Sequence, residues 1–398
     1  MAKGEDLDSR IDYGIILSVM LLSIIGLVSL YTAVKYDLQP PSTPARAVTM
    51  QLIWLMLGIL VAFLAMHLDA EQYWKLSPWL YTLGIILLIA VLKFYDPTMA
   101  IQHGAKSWFR VGPISFQPSE IMKPAYILMT ARVASLHNSM YSHTFKNDWI
   151  LIGKFALITL PIAVLMKLQH DFGSTLVFVA ILAGMILVSG IKWQIVLPLG
   201  LGSSLIICVS IYLVVSSWGK EFLGHLGFES YQFDRINSWL DPTHDTSNSS
   251  LQLWRSMQAI GTGQMTGRGL NNLKVYVPIR ESDMIFSVIG ESFGFVGCSL
   301  VILIYFLLLW QLIRVAFDTK NEFYAYIVTG IVMMLSFHIF ENIGMNIDLL
   351  PLTGIPLPFI SQGGSFLLTN MICIGIVLSM RYHHRTYMFS RTENDFTS

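Results

Sequence analysis

Ten separate apolar windows, each close to the length that crosses a bilayer, constrain this chain more than any motif does. They lie at 13-34, 49-67, 77-95, 119-138, 148-166, 174-190, 193-216, 284-314, 323-347 and 361-381. A hydrocarbon core about 30 Å thick is crossed by about 20 residues rising 1.5 Å each. The pattern therefore predicts an all-α integral membrane protein of about ten transmembrane helices. Composition points the same way, because 54% of the 398 residues are hydrophobic and only 13% are charged. That is about half the charged share of a soluble domain, too little to cover a globular surface. The windows at 119-138 and 323-347 contain charge and are the weakest of the ten. The first run, Tyr13 to Val34, exceeds the apolar core of a cleavable signal and follows Glu5, Asp6 and Asp8 as well as Lys3 and Arg10, so it reads as a retained helix.

An even number of spans puts both termini on one side. With the termini cytoplasmic, the inner segments, which include Lys75, Arg132, Lys192 and Arg381, carry about twice as many basic residues as the short outer loops. Residues 217 to 283, between helices 7 and 8, then form a large extracellular loop, and 1-398 reads as one polytopic membrane domain. Inside that loop the polar run His244 to Ser250 reads as a flexible excursion. A second extended segment, 96 to 118, carries Trp108, Phe109, Pro113 and Pro118 and suits the membrane interface. Net charge is zero, so no global field favours nucleic acid, and the expected partner is a lipid or another membrane protein. Cys208, Cys298 and Cys373 lie in apolar stretches without metal-ligand spacing and read as core residues.

A charge at membrane depth costs about 2.5 to 3.5 kcal/mol, so each one demands a partner, a cavity or a function. Glu120 and Lys123, three apart at the start of the fourth helix, fit either a structural ion pair or a substrate cavity. Asp171 begins the sixth helix as an N-cap or as a functional acid. Glu291 lies about two turns into helix 8 and should face the bundle interior, while Glu341, with Asn342 and Asn346 nearby, suits hydrogen bonding between helices. Asp283 closes the long loop at the N-terminus of helix 8, where the helix dipole favours an acid and the lipid-water boundary is near; capping and catalysis both fit. Gly261 to Gly269, with Arg268 inside it, lacks the Gly-Lys-Ser/Thr ending and preceding strand of a P-loop. Its backbone N–H groups suit a phosphate beside Arg268, or the segment is a hinge.

Several of these segments together resemble the SEDS family (shape, elongation, division and sporulation). The matching stretches are Gly104-Ala105-Lys106-Ser107-Trp108, Gln117-Pro118-Ser119-Glu120-Ile121-Met122-Lys123, Asp171-Phe172-Gly173-Ser174-Thr175 and Asp234-Arg235-Ile236 with Leu240-Asp241-Pro242. Further on come Ala259-Ile260-Gly261-Thr262-Gly263, Gly267-Arg268-Gly269, Ser282-Asp283-Met284-Ile285-Phe286 and Asn342-Ile343-Gly344-Met345-Asn346. The last is Thr353-Gly354-Ile355-Pro356-Leu357-Pro358-Phe359-Ile360-Ser361. They follow the family order over nearly the whole chain. The chain departs from the usual pattern at His170, where proline is common, Arg255 (glutamine), Ile279 (glutamate), Asp348 (glycine) and Gln362 (tyrosine).

The resemblance implies a fold similar to C-type glycosyltransferases and an enzyme of the bacterial cytoplasmic membrane, with its catalytic face extracellular. It implies polymerisation of lipid II into polyprenyl-linked glycan by inverting transfer, with undecaprenyl pyrophosphate released. By the same resemblance Asp283 matches the family's essential aspartate and would be the catalytic base; Glu120, Lys123 and Asp171 match cavity residues and, with Trp108, would bind substrate; and Arg235 and Arg268, in motif positions of the long loop, would form with Lys123 a clamp that neutralises pyrophosphate. A divalent cation, Mg or Mn, could share that clamp, although no dedicated ligand cluster is visible. The expected partners are a class B penicillin-binding protein, which supplies transpeptidation, and the elongation or division machinery. The short tails and the run Val277 to Asp283 lean toward the elongation type over the division type. A lipid II flippase and a non-enzymatic scaffold are the competing classes; a flippase would carry its key charges nearer the midplane.

Overall fold

The computed structural model describes residues 12–38, 42–112, 114–216, 218–219, 221, 236–241 and 248–387. Its long helices are α1 (Tyr13–Lys35), α2 (Pro44–Met66), α3 (Ala70–Phe94), α5 (Pro118–Met140), α6 (Phe145–Gln169), α7 (Phe172–Val188), α8 (Trp193–Val215), α9 (Asn248–Gly263), α10 (Ile285–Thr319), α11 (Glu322–Asn346) and α12 (Gly364–Tyr387). Between α3 and α5 come the short α4 (Pro97–His103) and a two-stranded antiparallel hairpin, β1 (Phe109–Val111) and β2 (Ile114–Phe116).

Helices begin where the sequence supplies an oxygen to accept the orphan N–H groups of a first turn. Asp12 accepts from Gly14 and Ile15. Thr43 accepts from Arg46, with Pro44 opening α2. Asp69 and Gln72 form a capping box, and Asn321 accepts from Phe323 and Tyr324.

Each of the ten apolar windows is a helix. Eight are long and apolar enough to cross a membrane. The remaining two are α7, apolar but only 17 residues long, and α5, where Glu120, Lys123 and His137 are all buried among other helices. These three meet protein and not lipid, which explains why the hydropathy of α5 understates its depth. α12 and α11 form the buried centre of the bundle. α8 lies at its margin, with only Ile195 and Val214 buried.

Successive spans alternate in direction, so the connections after α1, α3, α6, α8 and α11 gather at one end. Contacts among them agree: Lys35 Nζ donates to Asn271 Oδ1 at 2.9 Å, Lys106 N to Gln169 O at 2.8 Å, and Gln51 Nε2 to Ser361 O at 3.3 Å.

α10 is the irregular member. Its 35 residues would make a rod of about 50 Å, and it breaks at Gly294 (φ 63°, ψ −160°). The segment after α9 threads this break as a strap. The carbonyls of Glu291 and Ser292, released by the break, accept from the N–H groups of Arg268 and Gly269 at 2.9 Å each. The N–H groups of Phe295 and Val296 donate in turn to the carbonyls of Gln264 (2.8 Å) and Met265 (3.1 Å). Glycine is required here because a Cβ on Gly263 would stand 1.9 Å from Gly290 O, and one on Gly267 2.1 Å from Ser292 O.

The strap corrects two expectations about the glycine-rich segment. Its N–H groups at Gly267, Arg268 and Gly269 are already taken by the carbonyls of Gly263, Glu291 and Ser292, so they form no nest for a phosphate. Pinned on both sides of the break, the segment is no hinge either. The polar run expected as an excursion also changes character, because its last residues, Asn248 to Ser250, open α9; residues 244–247 lie outside the described residues.

Candidate active site

The turn 278–284 at the gathered end carries Asp283 immediately ahead of α10. Its backbone is held from three directions. Asn342 Nδ2 (2.8 Å) and Asn346 Nδ2 (3.2 Å), from the last turns of α11, both donate to Asp283 O. Ser361 Oγ donates to Ser282 O at 2.7 Å, and Gln362 N to Glu281 O at 3.0 Å. From beneath, the buried Arg280 reaches Ala33 O, at the end of α1, through Nε at 3.1 Å.

The carboxylate of Asp283 is half-buried. Ser282 Oγ donates to its Oδ1 at 2.6 Å. Across from it lies Gly354 (φ 77°), where an added Cβ would stand 3.3 Å from Asp283 Oδ2, so only glycine leaves that approach open. The N-cap position of α10 falls to Met284, which makes no side-chain capping bond. Asp283 thus stands one residue outside the cap, near the positive end of the helix dipole.

Burial shifts the ionisation of two groups in the turn. It pushes the Arg280 guanidinium below its ordinary range, against the opposing pull of Asp37, Glu291 and Glu281. It also raises the Glu281 carboxyl above the usual glutamate range; nearby Asp37 adds to this and Arg280 opposes it.

The segment 353–361 connects Asp283 to the other expected site residues. Gly173, at the start of α7, packs against Thr353 O and Ile355. Asp171 caps α7 by accepting from Ser174 N (3.0 Å) and Ser174 Oγ (2.8 Å), and it also accepts from Gln117 Nε2 at 2.8 Å. Its carboxylate therefore ties the starts of α5 and α7 together. Glu120 and Lys123 lie deeper on α5, joined at 2.8 Å and sealed at 4% and 2% exposure. Trp108 lies half-buried in the segment between α4 and β1, its carbonyl accepting from Asp96 N at 2.9 Å. Arg268 sits on the strap and donates through Nε to Thr262 O at 3.1 Å. Arg235 lies outside the described residues. Among the described residues no group of three or more His, Cys, Asp or Glu side chains is arranged to hold a metal ion.

Glu291 is buried as expected, but its partners are loop N–H groups: Oε1 accepts from Lys274 N (2.6 Å) and Val275 N (3.1 Å). Asn342 and Asn346 serve the turn and Ser256 of α9 more than they join spans. Sequence reasoning missed His338, whose Nε2 lies 3.2 Å from Lys123 Nζ. The signal was a polar residue at every fourth position of an apolar helix: His338, Asn342, Asn346.

Comparison with known proteins matches residues 13–386 to the cell cycle protein family of FtsW, RodA and SpoVE. Stage V sporulation protein E of Bacillus subtilis is 29% identical over 94% of this chain and 98% of its own. A probable peptidoglycan glycosyltransferase FtsW of Geobacter sp. is 31% identical over 83% and 85%, and the peptidoglycan glycosyltransferase MrdB of Escherichia coli 30% over 83% and 84%. Among solved structures, a chain from work on polymerization and crosslinking by a peptidoglycan synthase complex superposes with a TM-score of 0.76 at 26% identity, covering 96% of this chain and 99% of its own. The rod shape determining protein RodA of Thermus thermophilus gives 0.65 at 25%, covering 93% and 96%. By its eight helices long and apolar enough to cross a membrane and by these matches, the chain is a multi-pass membrane protein of the FtsW, RodA and SpoVE family of cell cycle proteins, the SEDS family.

Proposed function

We propose that this chain is a peptidoglycan glycosyltransferase that polymerises lipid II at the outer face of the cytoplasmic membrane, with its termini in the cytoplasm. The observation that carries the reading is the half-buried Asp283 carboxylate, facing Gly354 across an approach that any side chain would narrow. Its backbone is fixed by two buried asparagines. A base held at the bilayer edge suits a substrate whose sugar projects from a lipid tail. The names of the relatives, several of them peptidoglycan glycosyltransferases, support the same reading.

In the reaction, the C4 hydroxyl of the acceptor's N-acetylglucosamine attacks C1 of the donor's N-acetylmuramic acid. Asp283 takes the hydroxyl proton, C1 inverts, and the C1–O bond breaks to release undecaprenyl pyrophosphate. Arg268, Arg235 and Lys123 would offset the charge of the pyrophosphate. A class B penicillin-binding protein would crosslink the product. The run Val277 to Asp283 favours a role in elongation over division; depletion giving round cells, not filaments, would bear that out.

The test is polymerisation of labelled lipid II by purified protein, with and without the penicillin-binding partner, comparing wild type with Asp283→Ala of equal fold. Polymer from the wild type alone is the expected result. Polymer from both moves the base elsewhere, and polymer from neither removes the enzyme reading. The sealed Glu120–Lys123 pair is also what a flippase would use; lipid translocation that survives Asp283→Ala while polymerisation is absent would favour that class.

A further inference from the structure

The buried pair on α5 has a third member that the reaction above does not use. Lys123 Nζ donates to Glu120 Oε1 at 2.8 Å and lies 3.2 Å from His338 Nε2, with the Phe366 ring centroid 5.7 Å away. The other ring nitrogen of His338, Nδ1, lies 2.6 Å from Met334 O. A carbonyl oxygen only accepts and an ammonium only donates. Nδ1 must therefore carry the proton, and Nε2 must present a lone pair to Lys123. One tautomer of a neutral imidazole satisfies both contacts, whereas a doubly protonated ring keeps the bond to Met334 O and loses the acceptor that faces Lys123.

Position gives this contact its consequence. Glu120 lies on the same helix as Lys123, so it cannot fix the lysine relative to anything outside α5. His338 lies on α11, and Asn342 and Asn346 follow it at intervals of four on the same face. Those two asparagines hold the Asp283 backbone. One rigid helix thus carries the anchor of the cation and the anchor of the base.

We propose that His338 is a positioning residue: as a neutral acceptor it ties the Lys123 ammonium to α11 and so fixes that cation relative to Asp283. The proposal rests on the glycosyl-transfer reading, in which Lys123 offsets charge on the departing pyrophosphate. Charge that develops in the transition state is stabilised by groups already in place, so loosening the lysine lowers turnover more than it weakens substrate binding.

The experiment compares wild type, His338→Leu and His338→Gln in lipid II polymerisation with the penicillin-binding partner, each rate normalised to folded protein by thermal midpoint and size exclusion. Glutamine retains an acceptor oxygen and leucine does not. His338→Leu is expected to lower kcat at least about tenfold with KM within about twofold, and His338→Gln to stay within about threefold of wild type. Nitrogen-15 spectra of histidine-labelled wild type, assigned by loss of the signal in His338→Gln, are expected to report the Nδ1–H tautomer. The proposal is overturned if His338→Leu turns over like wild type, if leucine and glutamine are equally impaired, or if Nε2 carries a proton. A wild type that makes no polymer rejects the functional reading itself; an active wild type with an unaffected leucine variant rejects this proposal alone.

Discussion

Asn342 donates from one nitrogen, Nδ2, to two backbone oxygens, Asp283 O and Ile355 O, each at 2.8 Å. It thereby joins the turn carrying the carboxylate to the segment carrying Gly354. Asn342→Ala takes this donor from the Ile355 carbonyl and leaves Asp283 O with Asn346 alone, at a cost of about 1 to 3 kcal/mol. Asn342→Asp should be worse than alanine, since it sets a carboxylate against both oxygens. Thermal midpoints in detergent should fall in that order, and polymerisation should fall with them while Asp283 is intact.

Gly294→Ala should be among the most damaging single-methyl changes in the chain. The backbone there (φ 63°, ψ −160°) belongs to a region that is essentially glycine's, and the new Cβ would stand 2.4 Å from Gly267 N. Strain and overpacking together reach about 3 kcal/mol or more. Limited proteolysis checks this directly: cleavage within 264–284 should accelerate as the strap leaves the break.

Glu281 makes stability depend on pH. Burial raises its carboxyl above the ordinary value of 4.5, so the neutral form is favoured in the folded chain. Below 4.5 the group is neutral folded or unfolded, and its contribution is intact. As pH rises from there through the raised folded value, the unfolded chain ionises first and stability falls. Glu281→Gln should therefore match wild type near pH 4 and exceed it at neutral pH, with a flatter profile of thermal midpoint against pH.

Ile279 holds φ at 54°, a left-handed conformation that a β-branched residue rarely adopts. Its side chain is 43% exposed, so little packing is lost on truncation. Ile279→Gly should raise stability by about 1 kcal/mol, the strain relieved less the added freedom of the unfolded glycine. Chemical denaturation in detergent measures that gain, and activity should be retained because Asp283 keeps its own clamps.

The spans were legible because apolar length is a strong signal that survives even in α5, where Glu120 and Lys123 interrupt it. Asp283 stood out only through the motif around it, since local physics alone fits a cap equally well; the structure gives the cap to Met284. What sequence could not show was pairing at a distance. The strap joins 263–269 to 290–296, and no local propensity marks which of several glycines meets which carbonyl. Two departures from the family pattern, His170 (φ 59°) and Asp348 (φ 62°), also take left-handed backbone. Proline cannot adopt that conformation at the first, whereas glycine would adopt it readily at the second. His338 was overlooked because a lone histidine in an apolar run carries no sequence signal beyond its spacing.

The threaded break in α10 also sets an order of assembly. The strap is synthesised before the residues that hold it, and its last partners are the N–H groups of Phe295 and Val296. A nascent chain that stops short of them has nothing to close around, so the strap is expected to settle only once the first residues beyond the break have been made. Closure of the strap is therefore expected to follow membrane insertion of the helix that comes after it, and a chain stalled between the two would leave 264–269 without its partners.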